Sequence, residues 1–459
     1  MTAGPAPGPM AGALHERVAG LQIISPHGHC DPRWWAENSA FPNPADLLIK
    51  PDHYVFRMLY SQGVPLADLG IGPGGESRDP REIFKLFVQH WDAFLGTPSR
   101  QWLEFTLIRT LGIDTPLLPD TADIVYTQIA EQLASPAFRP RALFDRFGIE
   151  VLATTDAATD RLQHHTAIAR SGWLGRIIPT FRPDDVLNPA RPNHARALSD
   201  LAEMTGSDVA CYRDFLDALR DRRSAFRAVG GTATDHDVSD LATCWLDRDA
   251  IEALHARAVG GALSGDAARD YYGHMLVEMA QMAAEDGMVM QIHAGSRRNT
   301  NAALFASHGP DMGADIPCAI DWGQGLAALL DRVGNNRRLR LILFTLDESS
   351  YARELGPMAG HWPCLRIGPP WWFLDSPNGI RRYFDSVVET AGYRNLAGFN
   401  DDTRAFLSIP ARHDMWRRGV ALHLADQVDR GVLTVPDAER LAPYLVRDLA
   451  LETYKLGGG

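Results

Sequence analysis

A chain of 459 residues is long enough for one large barrel with an insertion, or for two or three average domains. Its 45% hydrophobic and 22% charged residues are ordinary for a globular protein, and no apolar run reaches the roughly 18 residues that a membrane span needs. The formal net charge of -12 argues against nucleic acid as a partner, but it leaves room for a small anion held in a local arginine pocket.

The opening residues, 1–14, carry neither a basic stretch nor a long apolar core, and read as a flexible tail rather than a signal peptide. The closing residues, 456–459, read the same way. Between them lie eight short apolar runs, most ending in polar residues. In chain order they are Leu21–Pro26, Ile149–Ala153, Gly175–Pro179, Phe226–Ala233, Met288–Ile292, Leu339–Phe344, Cys364–Gly368 and Asn395–Phe399. Segments of helical period, such as Ala267–Glu285 and Gly323–Val333, separate most of them. Strands alternating with helices imply a parallel sheet, and eight such units predict a (β/α)8 TIM-like barrel over residues 15–455. The gap at about 31–145 is too long for a βα loop. With helical stretches at Arg81–Phe94 and Ser99–Leu111, it reads as a mostly helical insertion after the first strand. Cys30, Cys211, Cys244, Cys318 and Cys364 are scattered, which fits a reducing cytoplasm better than a disulfide framework.

In such a barrel the residues ending the strands face one rim, where the chemistry is kept. His27 and His29 end the first run, two apart, so both imidazoles point one way; neutral imidazole suits Zn, Fe, Mn or Ni. Asp402 ends the eighth run and can complete a metal site or move protons. His293, ending the fifth, is a further ligand or substrate contact, and His236, ending the fourth, is a weaker one. Arg182, Arg298 and Arg404 follow the third, fifth and eighth runs, a set suited to a carboxylate or phosphate. His53, Tyr54 and Arg57 lie in the insertion, and Trp371 and Trp372 are pocket-wall candidates.

Taken in order, these pieces resemble the uronate isomerase family of the amidohydrolase superfamily, as a divergent member. The family's opening HxH matches His27 and His29, and its DHYKWR stretch resembles Asp52 through Arg57. Its PT[FW]RPD is present as Pro179 through Asp184, and its SDHG resembles Thr234 through Asp237. Its HLGAMRNNN resembles His293 through Asn301, and its AWWFxD resembles Pro370 through Asp375. Its closing TDSRSFLSY and RHEYFRR resemble Asp401 through Ser408 and Arg412 through Arg418. Where the family carries Leu-Asn-Pro after the sixth strand, this chain has Leu346-Asp347-Glu348.

The resemblance implies an aldose–ketose isomerase acting on a small acidic sugar, D-glucuronate to D-fructuronate or D-galacturonate to D-tagaturonate, through a cis-enediol. It implies one divalent metal ion, zinc first, with Mn, Fe or Ni as further fits, held by His27, His29 and Asp402, with His293 as a possible addition. Asp402 and His53 become the proton-transfer candidates, with Tyr54, Arg182, Arg298 and Arg404 binding the substrate's hydroxyls and carboxylate. The carboxylated lysine of binuclear relatives has no counterpart, because Lys50, Lys85 and Lys455 all lie far from the fourth run. The alternative is a metal-dependent hydrolase, decarboxylase or epimerase for another acidic metabolite on the same barrel. A homo-oligomer is common for barrels of this size, but no interface motif marks one.

Overall fold

The computed structural model describes residues 8–75 and 77–457. Seven strands lie side by side in chain order: β1 (Ile23–Ser25), β2 (Ile149–Ala157), β3 (Arg176–Arg182), β4 (Ala233–Val238), β5 (Val289–Ala294), β6 (Leu341–Thr345) and β7 (Leu365–Ile367). Every pairing among them is parallel. Parallel neighbours need crossovers, which the intervening helices supply, and winding them in sequence order curls the sheet toward closure.

The eighth position differs from expectation. Asn395–Phe399 forms no strand ladder; a single bridge joins Leu396 to Ile367, and the Ala397 N–H donates to the Ile367 carbonyl at 2.9 Å. On the far side, the His29 N–H donates to the Thr403 carbonyl at 3.0 Å, linking the end of this segment to the start of the ring. Gly398 is one reason the ladder stops. Its φ is +82°, outside the extended region, and a Cβ there would lie 2.6 Å from the Ala450 nitrogen. Gly398→Ala is expected to destabilise the protein by ~2–4 kcal/mol through strain and overpacking, read as a fall in apparent Tm.

The fourth strand also lies later than the apolar run suggested. Phe226 through Ala228 end the helix Tyr212–Ala228, where Phe226 is fully buried. Gly230, at φ +96°, then turns the chain, and the strand begins at Ala233. Thr234 through Asp237 are therefore strand residues, not residues beyond a strand.

The segment 31–145 is mostly helical, with Arg33–Glu37, Pro44–Leu48, His53–Ser61, Pro80–Gln89, Pro98–Phe105, Ala122–Ala134 and Pro140–Arg146. Several of these helices start on a proline behind a capping side chain: Asn43, Asp79 and Thr97 each accept from a first-turn N–H. They share their own apolar cluster, with Trp35, Leu59, Phe84, Phe94 and Ile129 at its centre, which reaches the sheet through Leu152 and Ile177. The stretch Gly265–Asp286 is one helix, whereas the predicted Gly323–Val333 is broken into Trp322–Gly325, Ala327–Leu329 and a wide turn at Leu330–Gly334.

The expected tails are shorter than the sequence suggested. Residues 1–7 lie outside the described part, but Pro9–Ala19 is a helix that buries Ala11, Leu14 and Val18. It packs on the helix Ile409–Asp429, whose Arg417 donates to the Ala19 carbonyl at 3.0 Å. At the other end Leu456 is buried beside Tyr454 in the apolar filling of the barrel; residues 458–459 lie outside the described part. Ile24, Val151, Ile178, Val289 and Ile342 complete that filling. The interior is thus closed below, and the polar chemistry is confined to the strands' C-terminal ends. Among the described residues no helix is long and apolar enough to cross a membrane.

Candidate active site

Strand alternation decides which side chains enter the barrel mouth. β4 and β5 pair Asp235 with Gln291 and Asp237 with His293. Gln291 and His293 point into the barrel, so Asp235 and Asp237 do too, while Thr234 and His236 point outward. His236 is accordingly buried against Thr234, its Nε2 3.1 Å from the threonine hydroxyl, and does not line the cavity.

The imidazoles meet at the rim. His27 and His293 stack with ring centroids 4.8 Å apart, and His29 stands edge-on to His27 at 5.3 Å. Asp402 completes the group: its Oδ1 lies 3.0 Å from His29 Nε2 and 3.5 Å from His27 Nε2. Asp402 sits at φ +41°, a left-handed conformation uncommon in residues with a side chain, although aspartate adopts it more readily than most. Burial disfavours its charge, yet the His29 hydrogen bond and the imidazoles of His27, His29 and His293 hold its carboxyl far below the usual carboxylate range. Burial pushes His27 down to about 4, against the pull of Asp235 and Asp402, so this imidazole is neutral near pH 7.

Asp235 was not singled out in the sequence. It accepts a hydrogen bond from His293 Nδ1 at 2.6 Å, which turns Nε2 into the cavity. Burial opposes its charge too, but His293, Arg182 and His27 hold its carboxyl well below the usual range.

The donor set fits a divalent metal. The ligand atoms of His27, His29 and Asp402 lie within 4.8 Å of one another, as do those of His27, Asp235 and His293. His293 Nε2 is buried without a hydrogen-bond partner, as a lone pair reserved for an ion would be. Imidazole nitrogens with a carboxylate oxygen suit Zn, Mn, Fe or Ni.

The cavity as a whole measures about 340 Å³, and the rest of its lining is a wall of arginines already met by aspartates. Arg182 reaches Asp184 at 2.8 Å, Asp235 at 3.4 Å and Asp237 at 3.6 Å. Arg298 reaches Asp315 at 2.9 Å and Asp237 at 3.0 Å, and Arg191 also pairs with Asp237 at 2.9 Å. Arg404 pairs with the half-exposed Asp311 at 2.9 Å. Trp372 faces Arg298 at 5.1 Å and His53 edge-on at 5.2 Å, and Trp371 stands against His293 at 4.8 Å.

His53 and Tyr54 open the helix His53–Ser61, where Asp52 accepts from the Tyr54 N–H at 2.9 Å and sets the first turn. The two rings stack at 4.7 Å. Burial, helped by Arg404, pushes His53 down to about 3, and its Nε2 is buried without a hydrogen-bond partner. Burial also pushes the Tyr54 phenol well above its ordinary value. Arg57 departs from expectation: it lies outside the cavity lining, over the Phe373 ring at 4.7 Å. It lies one helical turn beyond His53, which does line the cavity.

His27, His29, His53, Tyr54, Arg182, His293, Arg298, Trp371, Trp372, Asp402 and Arg404 all line this one cavity. Asp184, Asp235 and Asp237 stood in the matched motifs without a role, and Arg191, with Asp311 and Asp315 on the loop after β5, was not read from the sequence at all. The equal parity of Asp235 and Asp237 was a usable signal; the loop residues carry none.

The family model for glucuronate isomerase matches residues 9–455. The chain belongs to that family. It is 53% identical over 447 residues to a uronate isomerase from Rhizorhabdus wittichii, covering 97% of this chain and 95% of that one. A crystal structure of glucuronate isomerase from Caulobacter crescentus superposes with a TM-score of 0.97 at 47% identity, covering 100% of this chain and 96% of the other. The uronate isomerase from Thermotoga maritima superposes with a TM-score of 0.92 at 27% identity, with 97% of each chain covered. With family and full-length fold in agreement, the curled parallel sheet and its helices form a TIM-type barrel of the glucuronate isomerase family.

Proposed function

We propose that this chain is an aldose–ketose isomerase for hexuronates, interconverting D-glucuronate and D-fructuronate, or D-galacturonate and D-tagaturonate, through a cis-enediol. The observation that carries the reading is the Asp402 carboxylate set against His27 and His29 in a cavity that Arg182, Arg298 and Arg404 also line. Membership of the glucuronate isomerase family supports it.

His27, His29, Asp402 and His293 would hold one divalent ion, zinc first, with Mn, Fe or Ni as further fits. Bound there, the ion supplies Lewis acidity toward a substrate oxygen. The chain's own groups do the rest. Asp402 takes the proton from C2 of the open-chain aldose and, now protonated, returns it to C1. The two carbons are adjacent on one face of a cis-enediol, so one carboxylate serves both. A carboxyl held this low is a weak base, and Arg404 offsets the weakness by stabilising the enediolate charge. His53, kept neutral by burial, takes the proton from O2 and, as an imidazolium its surroundings disfavour, gives it up to O1. The Tyr54 phenol, kept protonated by burial, donates to a sugar hydroxyl. Arg182 and Arg298, with Trp371 and Trp372, hold the hydroxyls and carboxylate. The five cysteines are free, which supports a reducing, cytoplasmic setting.

Arg182→Met is expected to raise KM for the hexuronate about 30-fold, ~2 kcal/mol, and to leave KM for an uncharged aldose little changed. Equal effects on both would remove carboxylate recognition from Arg182. The test of the whole reading is proton NMR in D2O, with added divalent metal, on D-glucuronate and then D-galacturonate. A ketose product names the substrate. No change with either sugar, in folded and metal-loaded protein, overturns the proposal.

A further inference from the structure

Just outside the cavity lining lies a charged group that the reaction scheme does not use. Arg412, on the helix Ile409–Asp429, is 1% exposed. Its Nη1 donates to Asp375 Oδ2 at 2.8 Å and to the Asp401 carbonyl at 3.3 Å, and its Nε donates to the Ser408 hydroxyl at 3.1 Å. The guanidinium is clamped over the Trp102 ring at 3.6 Å and lies 5.2 Å from the Tyr54 ring. It therefore touches three segments that carry active-site residues: the 400–404 loop, the end of the Trp371–Asp375 stretch, and the insertion helix that starts at His53.

Asp402 is the residue with most to gain from that grip. Its left-handed backbone costs free energy even for an aspartate, and fixed neighbours on both sides help to hold it. Asp401 is held through its carbonyl by Arg412 and through its carboxylate by His413 Nε2 at 3.1 Å. Thr403 is held through its carbonyl by the His29 N–H at 3.0 Å, and its hydroxyl lies 3.3 Å from that of Ser408, which Arg412 also binds. A buried guanidinium is costly to desolvate, and an apolar side chain would fill the same space without that cost. What an apolar side chain cannot do is tie the Asp401 carbonyl, Ser408 and Asp375 together in one plane.

We infer that Arg412 is a positioning residue: it locks the 401–403 backbone so that the Asp402 carboxylate stays aimed at His27 and His29, and it keeps Tyr54 seated beside them. It touches no reacting atom. For its activity readout the inference rests on the isomerase reading above, so the experiment carries a second readout that does not.

Arg412→Met, Arg412→Lys and Asp375→Asn are compared with the wild-type full-length protein for apparent Tm, for kcat and KM on the hexuronate, and for zinc retained against a competing chelator. Arg412→Met is expected to lower kcat about 100-fold with KM within about 3-fold, because an ångström-scale misplacement costs that much, and to release zinc more readily. Arg412→Lys is expected to recover about 10-fold of the loss, since an ammonium reaches one partner but not all three. Asp375→Asn is expected to move kcat and zinc retention in the same direction by less. Folded Arg412→Met with unchanged kcat and zinc retention overturns the inference, as does a kcat loss that only tracks the unfolded fraction. If Arg412→Met does not fold, wild-type kcat and zinc retention in both other variants overturn it. Should the wild type convert neither uronate, the isomerase reading fails, and zinc retention alone decides the role of Arg412.

Discussion

Asp402→Asn is expected to lower kcat by about 1000-fold or more, ~4 kcal/mol of transition-state stabilisation, while the folded structure survives. The amide is isosteric, so the packing of the left-handed residue is undisturbed. It can neither accept the C2 proton nor offer the charged oxygen that now sits 3.0 Å from His29 and 3.5 Å from His27. Metal retention should fall in the same variant, because a carboxylate ligand is lost. Circular dichroism, metal analysis and turnover on one preparation separate the effects. Near-normal turnover with full metal would remove Asp402 from both roles.

Asp235→Asn is expected to weaken metal binding 10–100-fold and to lower kcat by about 100-fold. In the wild type, Asp235 accepts from His293 Nδ1 at 2.6 Å, which leaves the Nε2 lone pair facing the cavity. An asparagine can present its amide N–H₂ to Nδ1 instead. The ring proton then moves to Nε2, where it blocks coordination. The same substitution removes one of the three carboxylates around Arg182, so KM should shift as well. Chelator competition and steady-state kinetics check both arms. Metal affinity and kcat within about twofold of wild type would mean that the Asp235–His293 pair does not set the tautomer.

Much of this molecule could be read from its residues alone. Short apolar runs separated by helical periods predicted the parallel barrel, and the spacing of His27 and His29 predicted a shared direction for two imidazoles. The order of motifs from His27 to Arg418 predicted the family. These signals are local, or depend only on order along the chain, and a single sequence carries both. Boundaries were less legible where one apolar run served two elements. Phe226 belongs to a helix although it precedes β4, because Gly230 turns the chain between them. The tertiary structure alone decided the pairings. Asp235 meets His293, 58 positions away, because β4 and β5 pair in a register that puts both inside the barrel. Arg182 and Arg298 were visible as cations, but the aspartates that neutralise them come from other strands and from the loop after β5. Arg412 meets Asp375, 37 positions away, only because the helix Ile409–Asp429 packs beside the Trp371–Asp375 stretch. Which side chains face each other across a closed barrel is set by register and closure, and neither is written in the local pattern of any one segment.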